Sequence, residues 1–294
     1  MKIVKIYGGL GNQMFQYAFA RALAAASADE VFIDCSAPGT EAAHNGFELD
    51  RIFSIALPPA PTGAAEKLSV RPSGFLNRLR RKYFTKRSHR IDREFRYQPE
   101  LLALSGDVYF EGYWQSEKYF LGIGEELRCD FTFARALADK NDALLRELPR
   151  PIASVHVRRG DYLKYKNLNI CTPEYYSRAI RRISSRGGAS SYLVFSDDIG
   201  YCRATLDFGG APVAFVDWNR AEASWQDMAM MSRCDCHVIA NSSFSWWGAW
   251  LDPNPAKRVV APSIWNRREI RSNDRYYSFS FDDVLPASWE RVEI

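Results

Sequence analysis

The sequence predicts an α/β protein built in two halves. Three observations carry that reading. Short apolar runs alternate with helix-period segments at both ends of the chain. A glycine-rich turn stands directly after the first apolar run. A Pro149-Arg150-Pro151 break separates one alternating series from the next. The 294 residues allow about two domains of roughly 100–200 residues each. With 47% hydrophobic and 25% charged residues, the chain is neither disordered, collagen-like nor a disulfide scaffold.

Taken in order, residues 2–7 read as a short buried strand that Gly8, Gly9 and Gly11 break. A helix is predicted from about Gln13 to Ser27, because Phe15, Ala18, Phe19, Ala22, Leu23 and Ala26 recur at i, i+3, i+4 spacing. Residues 31–35 form a second strand. Residues 57–65 and 71–96 show no core period and read as an irregular excursion with one basic helix at about 74–84. Residues 107–114 return to strand character. After the proline break, strands are expected at 151–157, 191–196, 211–216, 236–240 and 258–262. Thr172 and Pro173 make an N-cap and N1 pair for a helix whose apolar face is Tyr176, Ala179, Ile180 and Ile183. Ser224-x-x-Asp227 reads as a capping box for a helix bearing Trp225, Met228 and Ala229. The economical architecture is two Rossmann-like α/β domains, 1–149 and 150–294, facing a cleft. Ligands of such sheets bind at the carboxyl ends of the strands.

Charge is unevenly spread. The net +4 combines +8 within residues 71–96 and −4 over the remainder, so the basic character is one local patch. Phe75, Tyr83, Phe84 and Phe95 are too few aromatics there for a nucleic-acid stacking platform, and no nucleic-acid partner is expected. The start, MKIVKIYGG, has no signal-peptide core, and no run of about 18 apolar residues occurs. A cytoplasmic chain with reduced thiols is the expectation. Cys234-x-Cys236 lacks a second ligand pair, so no metal site is expected there.

Four strings fall at strand ends or on the helix just after. Gly8-Gly-Leu-Gly-Asn12-Gln13 is neither a dinucleotide fingerprint nor a P-loop. Its glycines fit a tight turn, and Asn12 and Gln13 add amides that a turn does not require. His156-Val-Arg158-Arg159-Gly-Asp161 sends two guanidiniums out of an apolar strand. It is either an anion site, with Asp161 orienting one arginine, or a surface Arg–Asp pair. Asp197-Asp198 offers adjacent carboxylates for hydroxyls or a metal, or a cap for the next helix. Asn241-Ser-Ser243-Phe244-Ser245 opens a tryptophan-rich helix whose free N–H groups suit an anion, while Trp246, Trp247 and Trp250 pack it on the sheet. The residues alone support a phosphate-bearing ligand held by arginines and helix starts, without a metal.

At these strings the sequence resembles the alpha-1,2-fucosyltransferases of glycosyltransferase family 11: residues 8–17, 156–162, 195–198 and 241–251 carry the resemblance, in order. The resemblance implies a GT-B-like fold with the donor on the C-terminal half and the acceptor on the N-terminal half. It implies inverting transfer of L-fucose from GDP-beta-L-fucose to the 2-hydroxyl of a terminal galactoside, with no cofactor and no metal. The acceptor is then a galactoside-terminated oligosaccharide or lipid-linked glycan, in bacterial surface-glycan or oligosaccharide synthesis. On the same basis Arg158 and Arg159 hold the diphosphate, with His156 and Asp161 flanking them. Asp227 receives the guanine edge; Ser243, Phe244 and Ser245 line the phosphate or base pocket; Asn12 reaches the donor from the other domain. Gln13, Asp197 and Asn241 complete the candidate donor-binding set.

The alternatives are a same-fold enzyme using another nucleotide sugar and a non-catalytic glycan-binding protein. Arg158, Arg159 and the helix start near Ser243 are suited to stabilise the leaving diphosphate. The sequence names no general base: Asp161 is one candidate, or it only orients Arg159, and Leu163-Lys-Tyr-Lys166 holds no carboxylate. Because Arg158 and Arg159 lie outside the basic stretch, residues 71–96 are read either as an electrostatic contact to anionic lipid on the inner face of the cytoplasmic membrane or as a solvated helix.

Overall fold

In the computed structural model the described residues are 1–36, 45–70, 86–185, 187–267 and 280–294. The chain divides into two compact units: Met1–Ala134 with Ile270–Val284, and Arg135–Glu269 with Leu285–Ile294. The division falls before the helix Asp139–Glu147 rather than at 149/150. Asn141, buried on that helix, bonds Asn219, Gln226 and Trp218, which ties the helix to the second unit.

The first unit carries a four-stranded parallel sheet of β1 (Lys2–Lys5), β2 (Val31–Asp34), β3 (His89–Ile91) and β4 (Val108–Glu111), in the order β2-β1-β4-β3. The helix Leu10–Ala26 begins earlier than expected, because the Gly9 carbonyl accepts from the backbones of both Asn12 and Gln13. Both amides therefore ride on the first helical turn. The helix is buried almost all round, and Phe19 stacks on Trp114 with ring centroids 4.5 Å apart. A short helix, Ala64–Leu68, begins at the very end of the 57–65 stretch expected to be irregular. β3 was not expected, since His89-Arg90-Ile91 has no apolar run to announce it. The basic helix expected at 74–84 lies outside the described residues. Phe95 and Trp114 take left-handed backbone at φ 58 and φ 53. For bulky side chains this costs about 1–3 kcal/mol each.

The second unit carries β5 (Ile152–Val157), β6 (Ser191–Ser196), β7 (Val213–Val216), β8 (Cys236–Val238), β9 (Arg258–Pro262) and β10 (Glu290–Val292), all parallel, in the order β10-β9-β8-β5-β6-β7. The chain steps outward from β5 to β7, returns to β8 and steps outward the other way to β10. The sheet is thus doubly wound, with its switch point between β5 and β8. Strands β6 and β9 match the sequence reading residue for residue, because each is a continuous apolar run between turn residues. β10 was not expected. The cap at Thr172 forms: its side chain accepts from the Tyr175 backbone at 3.4 Å, and Tyr176, Ala179, Ile180 and Ile183 are buried. The capping box at Ser224 does not form. Ser224 already has helical backbone, at φ −59 and ψ −24, so its side chain caps nothing, and Asp227 turns to Asn219 instead. Among the described residues no helix is long and apolar enough to cross a membrane.

Candidate active site

In a doubly wound sheet, the crevice opens outside the carboxyl ends of the strands at the switch point. In the second unit those ends are Val157 on β5 and Val238 on β8. The arginine motif follows the first, and Asn241 with the helix Ser243–Trp250 follows the second. The Tyr162 hydroxyl donates to the Asn241 carbonyl at 3.1 Å and ties the two loops together.

The guanidiniums of Arg158 and Arg159 meet three carboxylates. Arg158 spends one Nη on Asp161 at 2.6 Å and the other on Asp197 at 3.1 Å. Asp197 also accepts from the Arg159 backbone at 2.9 Å. Asp161 therefore orients Arg158, not Arg159. Arg159 is held by Asp198, whose carboxylate accepts from its Nε at 3.0 Å, and its Cζ lies 3.5 Å from the centroid of the Tyr201 ring. Among the described residues its two Nη groups have no protein acceptor. One edge and one face of that guanidinium are fixed, and the forked outer edge is left for an anion. Asp198 also caps the helix Ile199–Thr205 by accepting from the Tyr201 backbone. That bond and Arg159 hold its carboxyl below the usual range. The pairing has a steric requirement at Gly160: a Cβ there would lie 2.6 Å from Asp197 Oδ2.

His156 ends the buried strand with its ring centroid 5.8 Å from that of Phe244. Its Nδ1 is buried without a hydrogen-bond partner among the described residues. Burial, then the Arg158 charge, push its pKa down to about 3, so it is a neutral imidazole near pH 7. The remaining predicted residues divide by what they are already doing. Asn241 is buried; its amide nitrogen donates to Leu168 and Trp265 carbonyls at 3.0 and 3.1 Å, and its oxygen accepts from the Cys171 thiol. Its side chain builds the turn and has little left to bind with. Ser245 is buried and donates to the Ser242 carbonyl. Ser243 and Phe244 are half-buried on the first turn of their helix, whose cap residue Ser242 makes no side-chain cap bond. Trp246, Trp247 and Trp250 pack in the core, as expected.

Asp227 sits on the first turn of the helix that follows β7, which topology sets on the carboxyl side of the sheet. Burial pushes its carboxyl up to about 7, although Asn219 donates to it at 2.8 Å and pulls the other way. Asn219 accepts in turn from Asn141, which accepts from Trp218.

In the first unit, Asn12 and Gln13 behave differently from one another. Gln13 is buried and donates to the carbonyls of Gly8 and Gly46 at 2.8 and 2.7 Å, while accepting from the Glu48 backbone at 2.9 Å. It is a staple for the glycine turn. Asn12 is half-buried, and its oxygen accepts from Gln115 at 2.8 Å. The sequence pointed to neither Tyr201 nor Asn219, and it offered Asp198 as a ligand or as the helix cap that forms, not as the partner of Arg159. Tyr201 stands three residues after the capping Asp198, the helical spacing that puts both on one face of the turn.

Comparison with known proteins agrees with this framework. The sequence model of glycosyl transferase family 11 matches residues 1–278. An alpha-1,2-colitosyltransferase of Escherichia coli is 33% identical over 99% of this chain and 98% of its own length. Galactoside alpha-(1,2)-fucosyltransferase 1 of Alouatta belzebul is 28% identical over 83% of this chain and 63% of its own, so the chain spans under two-thirds of that relative. The solved structure of the NodZ alpha-1,6-fucosyltransferase soaked with GDP-fucose covers 90% of this chain and 94% of that one, with a TM-score of 0.50 and 15% sequence identity. Two parallel sheets with their helices and this structural likeness define an α/β, GT-B-like glycosyltransferase fold. The chain belongs to glycosyl transferase family 11.

Proposed function

We propose that this family 11 glycosyltransferase moves L-fucose from GDP-beta-L-fucose to the 2-hydroxyl of a terminal galactoside, with inversion. The observation that carries the reading is the Arg159 guanidinium, pinned by Asp198 and Tyr201 at the end of β5 with its Nη fork uncommitted. A diphosphate leaving group gains negative charge as the glycosidic bond breaks. A cation already oriented for that charge needs no reorganisation at the moment of reaction. Ser243 and the free N–H groups of its helix add partial positive charge at the other side of the switch point. Arg158, balanced by Asp161 and Asp197, shapes the loop and contributes its remaining N–H donors. Half-buried Asp227 offers a carboxylate for the paired N–H donors of a guanine edge. Neutral His156 offers its unpartnered Nδ1 to a donor hydroxyl. In this reading charge stabilisation falls to guanidiniums and a helix start, with no metal or cofactor. Transfer undiminished in EDTA is the expected result.

The activities of the relatives support an alpha-1,2 linkage. The colitosyltransferase relative favours a second reading of the donor, since colitose is L-fucose without its 3-hydroxyl. The decisive experiment presents purified protein with GDP-fucose, its 3-deoxy counterpart, GDP-mannose and a UDP-sugar, each with a panel of terminal galactosides. Transfer from GDP-fucose to O2 supports the first reading. Preference for the 3-deoxy donor moves the assignment to the second, and turnover of none of them returns the chain to glycan binding. In this reading the acceptor is a galactoside-terminated oligosaccharide or lipid-linked glycan met in the cytoplasm. Liposome co-sedimentation with residues 71–96 charge-neutralised tests the membrane contact separately.

A further inference from the structure

The first sheet has a switch point of its own, between β1 and β4, and an aromatic patch stands at its carboxyl edge. Tyr7 follows β1, Tyr113 follows β4, and Phe95 lies just past β3. The rings of Tyr7 and Tyr113 are 5.1 Å apart between centroids, and those of Tyr113 and Phe95 are 5.8 Å apart. All three residues are half-buried, and the Phe95 ring also meets Phe281, with centroids 5.3 Å apart.

The backbone beneath the patch is held in conformations that bulky residues avoid. Phe95 sits at φ 58, and the Asp92 carboxylate clamps the turn by accepting from the Glu94 and Phe95 backbones at 3.2 and 3.0 Å. Trp114, next to Tyr113, sits at φ 53. The edge of its indole that carries Nε1 packs against Gly112, where an added Cβ would lie 2.9 Å from that edge and 2.4 Å from Asp92 Cβ. Trp114 Nε1 is buried and has no hydrogen-bond partner among the described residues. Strain of this kind persists where the surroundings over-determine it, and it gathers at ligand sites.

We infer that Tyr7, Tyr113 and Phe95 form the platform for the acceptor sugar, taking the apolar face of a galactoside ring. A galactose ring presents C3–H, C4–H and C5–H on one face, and the aromatic rings of the patch suit that face, while the Tyr7 and Tyr113 hydroxyls bond to each other. Asp92 acts through Phe95 and is a positioning residue. This assignment rests on the proposed galactoside acceptor and adds the side chains that read it.

The test uses the full chain, with methyl β-galactoside and lactose as probes. Phe95→Gly removes the ring and suits the left-handed backbone, so thermal unfolding is expected to hold or rise. Acceptor KM is expected to rise at least tenfold, GDP-fucose KM to stay within twofold, and saturation transfer from protein to methyl β-galactoside to be lost. Tyr113→Ala should act in the same direction. An acceptor KM within twofold of wild type, or a donor KM that rises in parallel, overturns the platform. If the wild-type chain binds methyl β-galactoside and loses it on Phe95→Gly yet transfers no sugar, the platform stands and the proposed reaction fails. If the wild type transfers fucose and Phe95→Gly leaves acceptor KM unchanged, the reaction stands and the platform fails.

Discussion

Arg159 lies over the ring of Tyr201 with Cζ 3.5 Å from the centroid, while Asp198 holds its Nε from the side. The fork is therefore aimed before any ligand arrives. Arg159→Lys keeps the charge and loses the planar donor pair, and should lower kcat/KM by ~100-fold, about 3 kcal/mol. Tyr201→Leu removes only the stacking, worth about 0.5–1 kcal/mol, and should cost ~3–5-fold. Steady-state kinetics check both. Thermal unfolding should shift little, since partly exposed ion pairs contribute about 0–1 kcal/mol.

Gly160 lets Asp197 approach. Gly160→Ala would press a Cβ against Asp197 Oδ2 and break its bonds to Arg158 and the Arg159 backbone. GDP affinity measured by calorimetry should fall, with the secondary structure by circular dichroism unchanged. Wild-type affinity in this variant would show that the Asp197 bridge is dispensable.

Asp227 predicts proton-linked nucleotide binding. Its folded pKa, about 7, stands above the ordinary 3.8, so between those values the folded chain holds a proton the unfolded chain has released. Its contribution to stability is present at low pH and is lost as pH rises through 7. A guanine edge wants the ionised form. GDP affinity should climb from pH 6 to pH 8, with proton release detected in buffers of different ionisation heat. Asp227→Asn should flatten that dependence.

His156 has the opposite sign. Its folded pKa is depressed to about 3, while the unfolded imidazole takes a proton below 6.5. Its contribution is fully present above 6.5 and is lost as pH falls toward 3, at no more than about 1.4 kcal/mol per pH unit. Urea unfolding of wild type and His156→Asn, compared from pH 7 to pH 4, should converge as the pH drops.

Gln13 separates scaffold from site. Gln13→Leu strands two carbonyls and one backbone N–H near the glycine turn. At about 1–3 kcal/mol for each buried group left unpaired, several kcal/mol of stability should go. Urea unfolding reads the loss, and GDP affinity at low temperature should hold.

The second unit was more legible than the first. Strands β5, β6 and β9 are buried on both faces and written as apolar runs, and Thr172-Pro173 names its helix start. β3 and β10 are three residues each and polar, so only their neighbours make them strands. The arginine motif was legible as chemistry, but its pairing was not. Asp161 and Asp198 are equally plausible partners in sequence, and only the turn at Gly160 assigns the first to Arg158 and the second to Arg159. Gln13 and Asn241 looked like binders because amides at strand ends serve ligands and turns alike. Their bonds place both with the turns.

The first unit is not one stretch of chain. Residues 280–284 belong to it: the Ser280 backbone donates to Glu94, Asp283 accepts from the Tyr97 backbone and pairs with Lys118, and Phe281 lies 5.3 Å from Phe95 between ring centroids. A graft that swaps this unit between relatives by a single cut at residue 134 would install a new Phe95 turn over the old Phe281. Exchanging the two pieces together keeps the pair matched. In a sequence comparison, substitutions near 281 are therefore to be read with those near 95, although almost two hundred residues separate them.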